Sequence, residues 1–504
     1  MIKFKKLFNI KIVLIIIAVA FFSGSIVFGV DLSNKAHLRI PSMGDNQKWR
    51  ERLKEGLDVI LNFDEAAAEK EVQRILQENI KYFVFGYDPV TGLPYNYMDV
   101  GKNGEIIERR STWISPTDTG LYLNVLIAVV KGDIVASDSM TPDEAMKRLQ
   151  LLMKTLRAAK KSNGFFYYYD IKDGEAVVSD LYGRLISAID NGNLAASLAV
   201  LVGAFQGGTD EQKILADMAE KMLTAMEWNE LYNTDRELLM GGYYADENGQ
   251  IKTRLEWCID RSYNEGRIAA VMALLSEKVP LAVWSMLKTT YGSYSFPDGA
   301  TVGIVKTWNG GAFQAWLPLL FFDELKWSPR GYAKAHNNFL AVQVNESVKN
   351  GLSGALLSSC YNPNGEYCEN GIPAVAESEN KISLDVGTPH ATALASLVNH
   401  HTALTLFKLL DSKWPNLKGP FGYYESVDLE GRVSTRMTAL AQGLLILSLA
   451  GKNSQYMQAY LEAIKKLASI QNRYEEIVFK IYETSPVDSI RDVCDALEKV
   501  RGQI

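Results

Sequence analysis

The sequence is poor in the residues that build metal centres. It has four cysteines and five histidines in 504 residues, and neither a CxxC pair nor a closely spaced cluster of His and Cys occurs. A structural zinc site needs such a cluster, because four ligands must converge on one ion. We therefore expect no metal site and no cofactor.

A surplus of positive charge is also missing. Lys and Arg together number 53 against 59 Asp and Glu, which leaves a formal net charge of −6. Nucleic-acid-binding proteins present basic stripes or patches, and none is visible here, so we expect no nucleic-acid partner. Hydrophobic residues make up 47% and charged residues 22%, the composition of a globular protein with a large core.

Two common catalytic motifs are absent as well. The glycine pairs at 241–242 and 310–311 lack the Lys-Ser or Lys-Thr that completes a phosphate-binding loop, and no G-x-S-x-G elbow is present. A P-loop nucleotide hydrolase and an α/β-type serine hydrolase are therefore both disfavoured.

The first thirty residues have the pattern of an export signal. Four lysines within the first eleven residues precede an apolar stretch over 12–30, and small residues lie near its end. This pattern predicts a signal peptide over 1–29 and a periplasmic or extracellular location for the rest of the chain. The alternative is an uncleaved membrane tether, because the stretch approaches the ~20 residues that a spanning helix needs.

Export would permit disulfide bonds. Cys360 and Cys368 flank a turn-rich stretch at 361–365, and the sequence leaves open whether they form a local disulfide or remain thiols. Cys258 and Cys494 have no evident partner in the sequence.

Helical patterns separated by Gly-, Asn- and aromatic-rich loops fill the chain after residue 117. Thr141 and Pro142 illustrate a helix start, with Glu144 three residues after the cap. About twelve helices are predicted: two that open at 141 and 209, and ten over 117–133, 190–206, 263–276, 280–289, 311–326, 331–350, 388–398, 400–411, 434–450 and 454–475. Few β-like segments occur, at 164–169 and 422–427, and no strands alternate with helices as a parallel sheet would require.

Twelve helices in one continuous chain suggest an all-α fold of six helical hairpins closed into a ring, an (α/α)6 toroid over residues 30–450. Residues 451–504 are predicted to form a C-terminal helical extension. A stack of helical repeats is the alternative, but no fixed period of 34 or 40 residues is found.

The loops of this predicted ring combine aromatic rings with carboxylates. Sugar rings stack on aromatic side chains, and glycosidic cleavage usually needs two carboxyl groups, one protonated and one ionised. Five carboxylates beside aromatic or Gly-rich junctions are candidates: Asp118, Asp190, Glu265, Asp385 and Glu425. Asp190 could instead belong to a helix cap, and Glu265 could pair with Arg261 or Arg267.

Several separated motifs resemble a known family, in the same order along the chain. Residues 114–123 (ISPTDTGLYL) resemble the TSPTNIGLYLL element of cyclic β-1,2-glucan synthases, and 186–195 (ISAIDNGNLA) resemble their ISSVDSGNLAG. Residues 422–428 (GYYESVD) resemble GFYEAID, and 263–265 (YNE) match the YNE of bacterial endo-β-1,2-glucanases. The likeness extends from about residue 82 to 450 and identifies a glycoamylase-like domain.

The resemblance implies an (α/α)6 toroid with a cleft at one end, acting on β-1,2-glucan or a related β-glucan. It implies Glu265 as general acid, with Asp190 or Glu425 as the partner carboxylate or a sugar ligand. The residues that it assigns to substrate binding are Asp118, Asn193, Tyr263, Arg267, Trp308, Gln314, Trp316 and Tyr424.

This chain departs from the family at two carboxylates. It has Gln314 where the synthases read FEYL, and Ser358 where they read SESAY. Three functions are therefore expected in order: an exported glycoside hydrolase or transglycosylase, a glycan-binding protein without turnover on the same fold, and a helical scaffold that binds protein partners.

Overall fold

The computed structural model describes residues 65–481, apart from 102, 136–139, 181–182, 297–298, 300 and 379–381. The predicted signal segment at 1–29 and Cys494 lie outside these described residues.

About half of the described chain is helical, with many helices as the sequence predicts. Its α-helices are α1 (Glu65–Phe85), α2 (Pro116–Lys131), α3 (Pro142–Ala158), α4 (Ala188–Phe205), α5 (Asp210–Ala225), α6 (Arg267–Leu275), α7 (Ala282–Ser285), α8 (Ala312–Trp316), α9 (Glu324–Trp327), α10 (Tyr332–Lys349), α11 (Pro389–Leu394), α12 (His400–Lys413), α13 (Ala439–Ala450), α14 (Asn453–Ala463) and α15 (Leu467–Glu475).

Six of these helices form a closed inner ring. Helix α2 packs against α4, α4 against α6, α8 against α11, α11 against α13, and α13 returns to α2. A hydrogen bond from Arg267 Nη2 to the carbonyl of Ala315 (2.8 Å) joins α6 to α8 and completes the circle. In α2, every residue from Pro116 to Val129 is buried, as expected for a helix that is apolar all round and enclosed by others.

The outer helices cover this ring in pairs. Helices α3, α5, α7, α10 and α12 pack on α2, α4, α6, α8 and α11, each following its inner partner in the chain. The sixth outer position is filled by α1, which packs on α13 from the other end of the sequence. The prediction began its helix count at residue 117 and therefore missed α1. It paired helices that follow one another in the chain, whereas the last pair of the ring joins helices from its two ends.

The inner helices begin at the same end of the ring, and side-chain caps mark the start of several of them. The hydroxyls of Ser115, Ser187 and Thr438 accept the backbone N–H three residues on, at the start of α2, α4 and α13. Such caps satisfy N–H groups that lack partners within the helix. The predicted start of the last inner helix, residue 434, is five residues early, because Arg436–Thr438 pairs with Tyr97–Asp99 instead.

Short antiparallel strands in the loops are more numerous than the sequence indicated. The described strands are β1 (Tyr97–Val100), β2 (Ile106–Arg109), β3 (Lys161–Ser162), β4 (Phe165–Phe166), β5 (Tyr169–Lys172), β6 (Glu175–Val178), β7 (Leu185–Ser187), β8 (Tyr232–Asn233), β9 (Leu238–Met240), β10 (Gly242–Ala245), β11 (Ile251–Arg254), β12 (Cys258–Ile259), β13 (Tyr291–Ser295), β14 (Thr301–Val305), β15 (Cys360–Tyr361), β16 (Tyr367–Cys368), β17 (Val386–Gly387), β18 (Lys418–Gly419), β19 (Gly422–Tyr423), β20 (Ser426–Asp428), β21 (Val433–Ser434) and β22 (Arg436–Thr438). Strands of two to five residues are too short to show a period of two, so sequence patterns rarely reveal them.

The strands pair in twos and threes, and none forms a large sheet within the described chain. The three-stranded groups have the orders β2-β1-β22, β11-β10-β7, β12-β9-β8 and β17-β20-β21. Because β7 and β22 lead directly into α4 and α13, these groups position the starts of inner helices.

The last described helices pack on the ring. Helix α14 lies against α4, and α15 lies against α9. Met457, Leu461 and Tyr474 are buried in the same hydrophobic core as the inner helices. Among the described residues, helix α4 is long and apolar enough to cross a membrane, but 83% of it is buried inside the protein, as expected for a core helix.

Candidate active site

A cavity of about 550 Å³ opens at the end of the ring where the inner helices begin. Residues of the first turns of α2, α4, α8, α11 and α13, together with loop residues beside them, line its surface. Four carboxylic acids contribute to the lining: Asp118, Asp190, Glu265 and Glu425. Among the described residues that line the cavity, none is Lys or Arg. The remaining candidate, Asp385, is exposed and lies outside this lining.

Asp190 lies in the first turn of α4 and is held by two hydroxyl groups. Thr117 donates a hydrogen bond to Oδ1 at 2.6 Å, and Tyr168 donates one to Oδ2 at 2.7 Å. Asn193, one turn further along α4, donates to the Thr117 hydroxyl at 3.0 Å. The Asp190 carboxylate is therefore fixed from two sides, while the residue as a whole is only half-buried.

Glu265 lies just before α6 and is 8% exposed. Burial raises the pKa of its carboxyl to about 7, because the charged form loses its contact with water. Within the described chain, Oε2 is buried and has no hydrogen-bond partner. Glu265 is therefore a buried acid that still carries its proton near neutral pH and has a free oxygen.

Asp118 and Glu425 are the other two buried acids of the cavity. Burial raises the pKa of each carboxyl to about 7. Asn96 donates to Oδ2 of Asp118 at 3.3 Å, and the Thr438 hydroxyl donates to Oε2 of Glu425 at 2.9 Å. These contacts orient both carboxyl groups from a residue next to β1 and from the last residue of β22.

A buried ion pair lies beneath the segment that carries Glu265. Arg267 donates to Oε1 and Oε2 of Glu324 at 2.8 and 2.7 Å, and both side chains are completely buried. Burial alone would raise the pKa of Glu324, but the Arg267 guanidinium lowers it to about 2. Arg267 also donates to the carbonyl of Asn264 at 3.0 Å, directly before Glu265.

A buried histidine extends this ion pair to the preceding tyrosine. His336 Nε2 lies 2.9 Å from Glu324 Oε2, and its Nδ1 lies 3.0 Å from the Tyr263 hydroxyl. Burial lowers the pKa of His336, so the ring is neutral. Because the Glu324 carboxylate can only accept, Nε2 carries the hydrogen, and Nδ1 accepts from Tyr263. The network holds the segment 263–267 from below.

The structure thus brings together five of the eleven site residues predicted from the sequence. Asp118, Asn193, Asp190, Glu265 and Glu425 line the cavity. The other six do not line it: Tyr263, Arg267, Trp308, Gln314, Trp316 and Tyr424.

Those six side chains are engaged elsewhere in the fold. Trp316 is completely buried and packs edge-on against Phe339, and Tyr263 and Arg267 belong to the buried network. Trp308 lies under the Arg261 guanidinium at 4.6 Å, and Tyr424 is half-buried beside Gly419. Trp316, Arg267 and Tyr263 are thus part of the buried packing, although neighbouring residues in the sequence line the cavity.

The two positions where the family carboxylates are replaced also lie outside the lining. Gln314 Oε1 accepts the backbone N–H of Asn309 at 2.9 Å, and the Ser358 hydroxyl accepts that of Phe313 at 3.2 Å. Both side chains therefore stabilise the turn that leads into α8. The adjacent residues Phe313 and Ser359 line the cavity in their place.

Several lining residues were not assigned to the site from the sequence. Trp113, Tyr168, Trp257, Tyr361 and Tyr367 line the cavity. All five are aromatic, and the sequence held no signal for which of its many loop aromatics would share one cavity.

His390 also lines the cavity and carried no signal in the sequence. Burial lowers its pKa to about 3, and within the described chain Nδ1 has no hydrogen-bond partner. A neutral imidazole nitrogen is therefore available to a ligand at the start of α11.

Neither a protein-family model nor a curated protein sequence matches this chain. Several solved structures do match this chain. A mutant endo-β-1,2-glucanase from Talaromyces funiculosus, in complex with β-1,2-glucan, matches 85% of this chain and 95% of its own, with a TM-score of 0.71 at 14% identity.

Two bacterial structures match in the same way. The endo-β-1,2-glucanase of Chitinophaga pinensis, with sophorotriose and glucose, covers 79% of this chain and 98% of its own (TM-score 0.62, 16% identity). The β-1,2-glucanase of Parabacteroides distasonis covers 81% of this chain and 60% of its own (TM-score 0.62, 16% identity). The chain therefore has the glycoamylase-like fold of endo-β-1,2-glucanases.

Proposed function

We propose that this protein is an exported glycoside hydrolase or transglycosylase that acts on a β-glucan, with β-1,2-glucan as the first candidate. The observation that carries the proposal is Glu265, a buried acid with a pKa of about 7 and an unpartnered oxygen in a cavity lined by three further carboxylic acids. Glycosidic cleavage needs such an acid to protonate the leaving oxygen.

Glu265 donates its proton to the glycosidic oxygen in this proposal. Asp190 is the partner carboxylate, because it is only half-buried and both its oxygens are oriented by hydroxyl groups. It activates the water that attacks the anomeric carbon, or attacks that carbon itself. Glu425 and Asp118, with pKa values of about 7, bind sugar hydroxyls.

The lining also has the aromatic surface that sugar rings need. Trp257 and Tyr367 are exposed at the cavity, with 49% and 59% of their surface open to solvent. Exposed aromatic rings beside polar groups suit the C–H faces and hydroxyls of a neutral sugar. Two of the structural neighbours are complexes with β-1,2-glucan and with sophorose, which supports a glucan as substrate.

Export is part of the proposal and rests on the N-terminal pattern of lysines followed by an apolar stretch. Fractionation of cells that express the full chain, with N-terminal sequencing of the recovered protein, tests it. Recovery from the periplasm or medium without residues 1–29 is expected. Full-length protein in the membrane fraction would instead indicate the tether.

The activity is tested by incubating the chain without residues 1–29 with a panel of β-glucans and analysing the products. New oligosaccharides are expected from β-1,2-glucan. Glu265→Gln should lower the rate by about 10²–10⁴-fold, the usual cost of losing a general acid, while sugar affinity is retained. Asp385→Asn is the matched control, because this exposed carboxylate lies outside the cavity.

The second candidate is a protein that binds a glycan without cutting it, and the replacements at Gln314 and Ser358 favour it. Because these side chains hold a backbone turn and do not line the cavity, we rank it below the hydrolase. Sugar binding without products from any glucan would establish it. A Glu265→Gln variant within a few-fold of the parent rate would exclude Glu265 as the acid.

A further inference from the structure

A β-hairpin with two cysteines forms one wall of the cavity. Its strands β15 and β16 place Cys360 directly opposite Cys368, and Tyr361 opposite Tyr367. Both tyrosines line the cavity. The two thiols are not bonded to each other, and their sulfur atoms lie 4.0 Å apart.

The first strand of this hairpin is anchored to the cavity floor. Ser426, next to Glu425, donates a hydrogen bond to the carbonyl of Tyr361 at 2.6 Å. The Arg436 guanidinium lies 4.5 Å from the Tyr361 ring and is held by Asp99 through two hydrogen bonds of 2.8 Å. The second strand carries the more exposed tyrosine, Tyr367, whose ring packs edge-on against Tyr361.

The two thiols differ in access and acidity. Cys360 is completely buried, whereas Cys368 is half-buried. The contact between the two thiols raises the pKa of Cys360 and lowers the pKa of Cys368. A thiolate is the reactive form of cysteine, so Cys368 is the thiol that a reagent in solution reaches first.

We propose that Cys360 and Cys368 form a reversible cross-strand disulfide that fixes the Tyr361–Tyr367 wall of the cavity. Residues directly opposite each other in an antiparallel pair have Cα atoms within the range that a disulfide spans. A 4.0 Å separation closes by rotation of the two side chains, without a change of strand register.

The oxidant is a small-molecule disulfide such as glutathione disulfide. The Cys368 thiolate attacks one of its sulfurs, which forms a mixed disulfide and releases one glutathione thiolate. Cys360 then loses its proton and attacks the Cys368 sulfur, which releases the second glutathione. Two protein thiols are oxidised to one disulfide, and one glutathione disulfide is reduced to two glutathione molecules.

Closure constrains the strand that carries Tyr367. The consequence for glycans rests on the proposed function: a sugar that stacks on this tyrosine no longer has to order it on binding. A preorganised wall binds more tightly for that reason. We expect the oxidised form to bind sophorose about two- to tenfold more tightly than the reduced form.

The disulfide is tested without any glycan. The folded chain without residues 1–29 is equilibrated with glutathione disulfide, remaining thiols are blocked with N-ethylmaleimide, and peptides are mapped by mass spectrometry. A cross-linked peptide joining Cys360 to Cys368 is expected, with slower hydrogen exchange at 361–367. Cys360→Ser should trap the Cys368–glutathione mixed disulfide, and Cys258→Ser, the matched control, should behave as the parent.

Three results would overturn the proposal. They are alkylation of both thiols in excess glutathione disulfide, a Cys368–glutathione adduct that persists in the parent, and unchanged hydrogen exchange at 361–367. Sophorose titration of Glu265→Gln in both redox states then tests the wall. Equal affinity would refute its role in glycan binding. Absence of sugar binding in both states would contradict the proposed function and leave the disulfide result standing.

Discussion

At the scale of single residues, the unusual feature is the burial of three acids around one cavity. Asp118, Glu265 and Glu425 all have pKa values near 7, and burial is the main cause in each case. Such groups are costly to the fold once they ionise, because the charge cannot be hydrated. Sites that keep acids in this state are often catalytic, since a proton must be available near neutral pH.

The first prediction concerns stability and pH. The pKa of Glu265 is raised from its ordinary 4.5 to about 7, so the folded state binds the proton more tightly than the unfolded state. The stabilisation that protonated Glu265 adds to the free energy of unfolding is therefore fully present below about pH 4.5. It is lost as pH rises through about 7. The Glu265→Gln variant cannot ionise at this position and does not suffer this loss. The difference in unfolding free energy between the variant and the parent should therefore shift in favour of the variant by up to ~3 kcal/mol from pH 4 to pH 8.

Denaturant unfolding of both proteins at the two pH values measures this difference. Asp385→Asn, at an exposed carboxylate outside the cavity, should show no such gain. If the difference between Glu265→Gln and its parent were the same at both pH values, the Glu265 carboxyl would not be protonated in the folded protein near neutral pH.

The second prediction concerns activity and pH. If Glu265 is the proton donor, kcat/KM on β-glucan should fall tenfold per pH unit well above pH 7, because only the protonated enzyme acts. An initial-rate profile from pH 5 to pH 9 measures this limb. A rate that stays constant up to pH 9 would argue against a donor with a pKa of about 7.

At the scale of elements, the segment that carries Glu265 is held by a network rather than by its own helix. Helix α6 begins only at Arg267, although the sequence predicted a helix from 263. Residues 263–266 are instead held by two hydrogen bonds, one between Tyr263 and His336 and one from Arg267 to the carbonyl of Asn264. His336 lies on α10, and Arg267 is itself held by Glu324 at the start of α9, so local periodicity could not locate the start of this helix.

The third prediction follows from the buried ion pair. Glu324→Gln leaves Arg267 without its counter-charge in a fully buried position, which should cost about 3–5 kcal/mol of unfolding free energy. Arg473→Gln is the control, because its pair with Glu476 is exposed and should be worth less than about 1 kcal/mol.

Replacing both members, Arg267→Met with Glu324→Leu, should cost less than the two single replacements added together. Thermal or denaturant unfolding of the parent, the two single variants and the double variant measures the coupling. Additive costs would mean that the two charges do not stabilise each other in the folded protein.

At the scale of the whole molecule, closure of the ring depends on a helix that is remote in sequence from its partner. Helix α1 packs on α13 and buries apolar side chains that include Val72, Ile75, Leu76 and Phe83. Without it, the inner helix that follows Glu425 and Thr438 would lose its outer cover.

The fourth prediction tests this closure by truncation. A chain that begins at residue 90 lacks α1 and should be insoluble or lack cooperative unfolding, whereas one that begins at residue 60 should fold. Leu76→Ala in the longer chain should cost about 2–5 kcal/mol through the cavity that it creates. Circular dichroism during heating distinguishes these outcomes, and cooperative unfolding of the chain that begins at 90 would contradict the role of α1.

Most of the helices, and the acids that share the cavity, could be predicted from local sequence patterns. Apolar periodicity and side-chain caps act within a few residues, so helices such as α3 could be predicted from Thr141 and Pro142. The motifs around Asp118, Asp190, Glu265 and Glu425 likewise carry their acids at the starts of inner helices or in the loops before them.

Which neighbours of these acids face the cavity depends instead on packing between distant parts of the chain. Trp316 and Arg267 were predicted to bind substrate but are completely buried, while His390 and Tyr367 line the cavity although the sequence assigned neither to the site. The exposure of a side chain depends on what packs against its element, and in a closed ring those partners are distant in sequence. That is why the lining could not be read from the sequence alone.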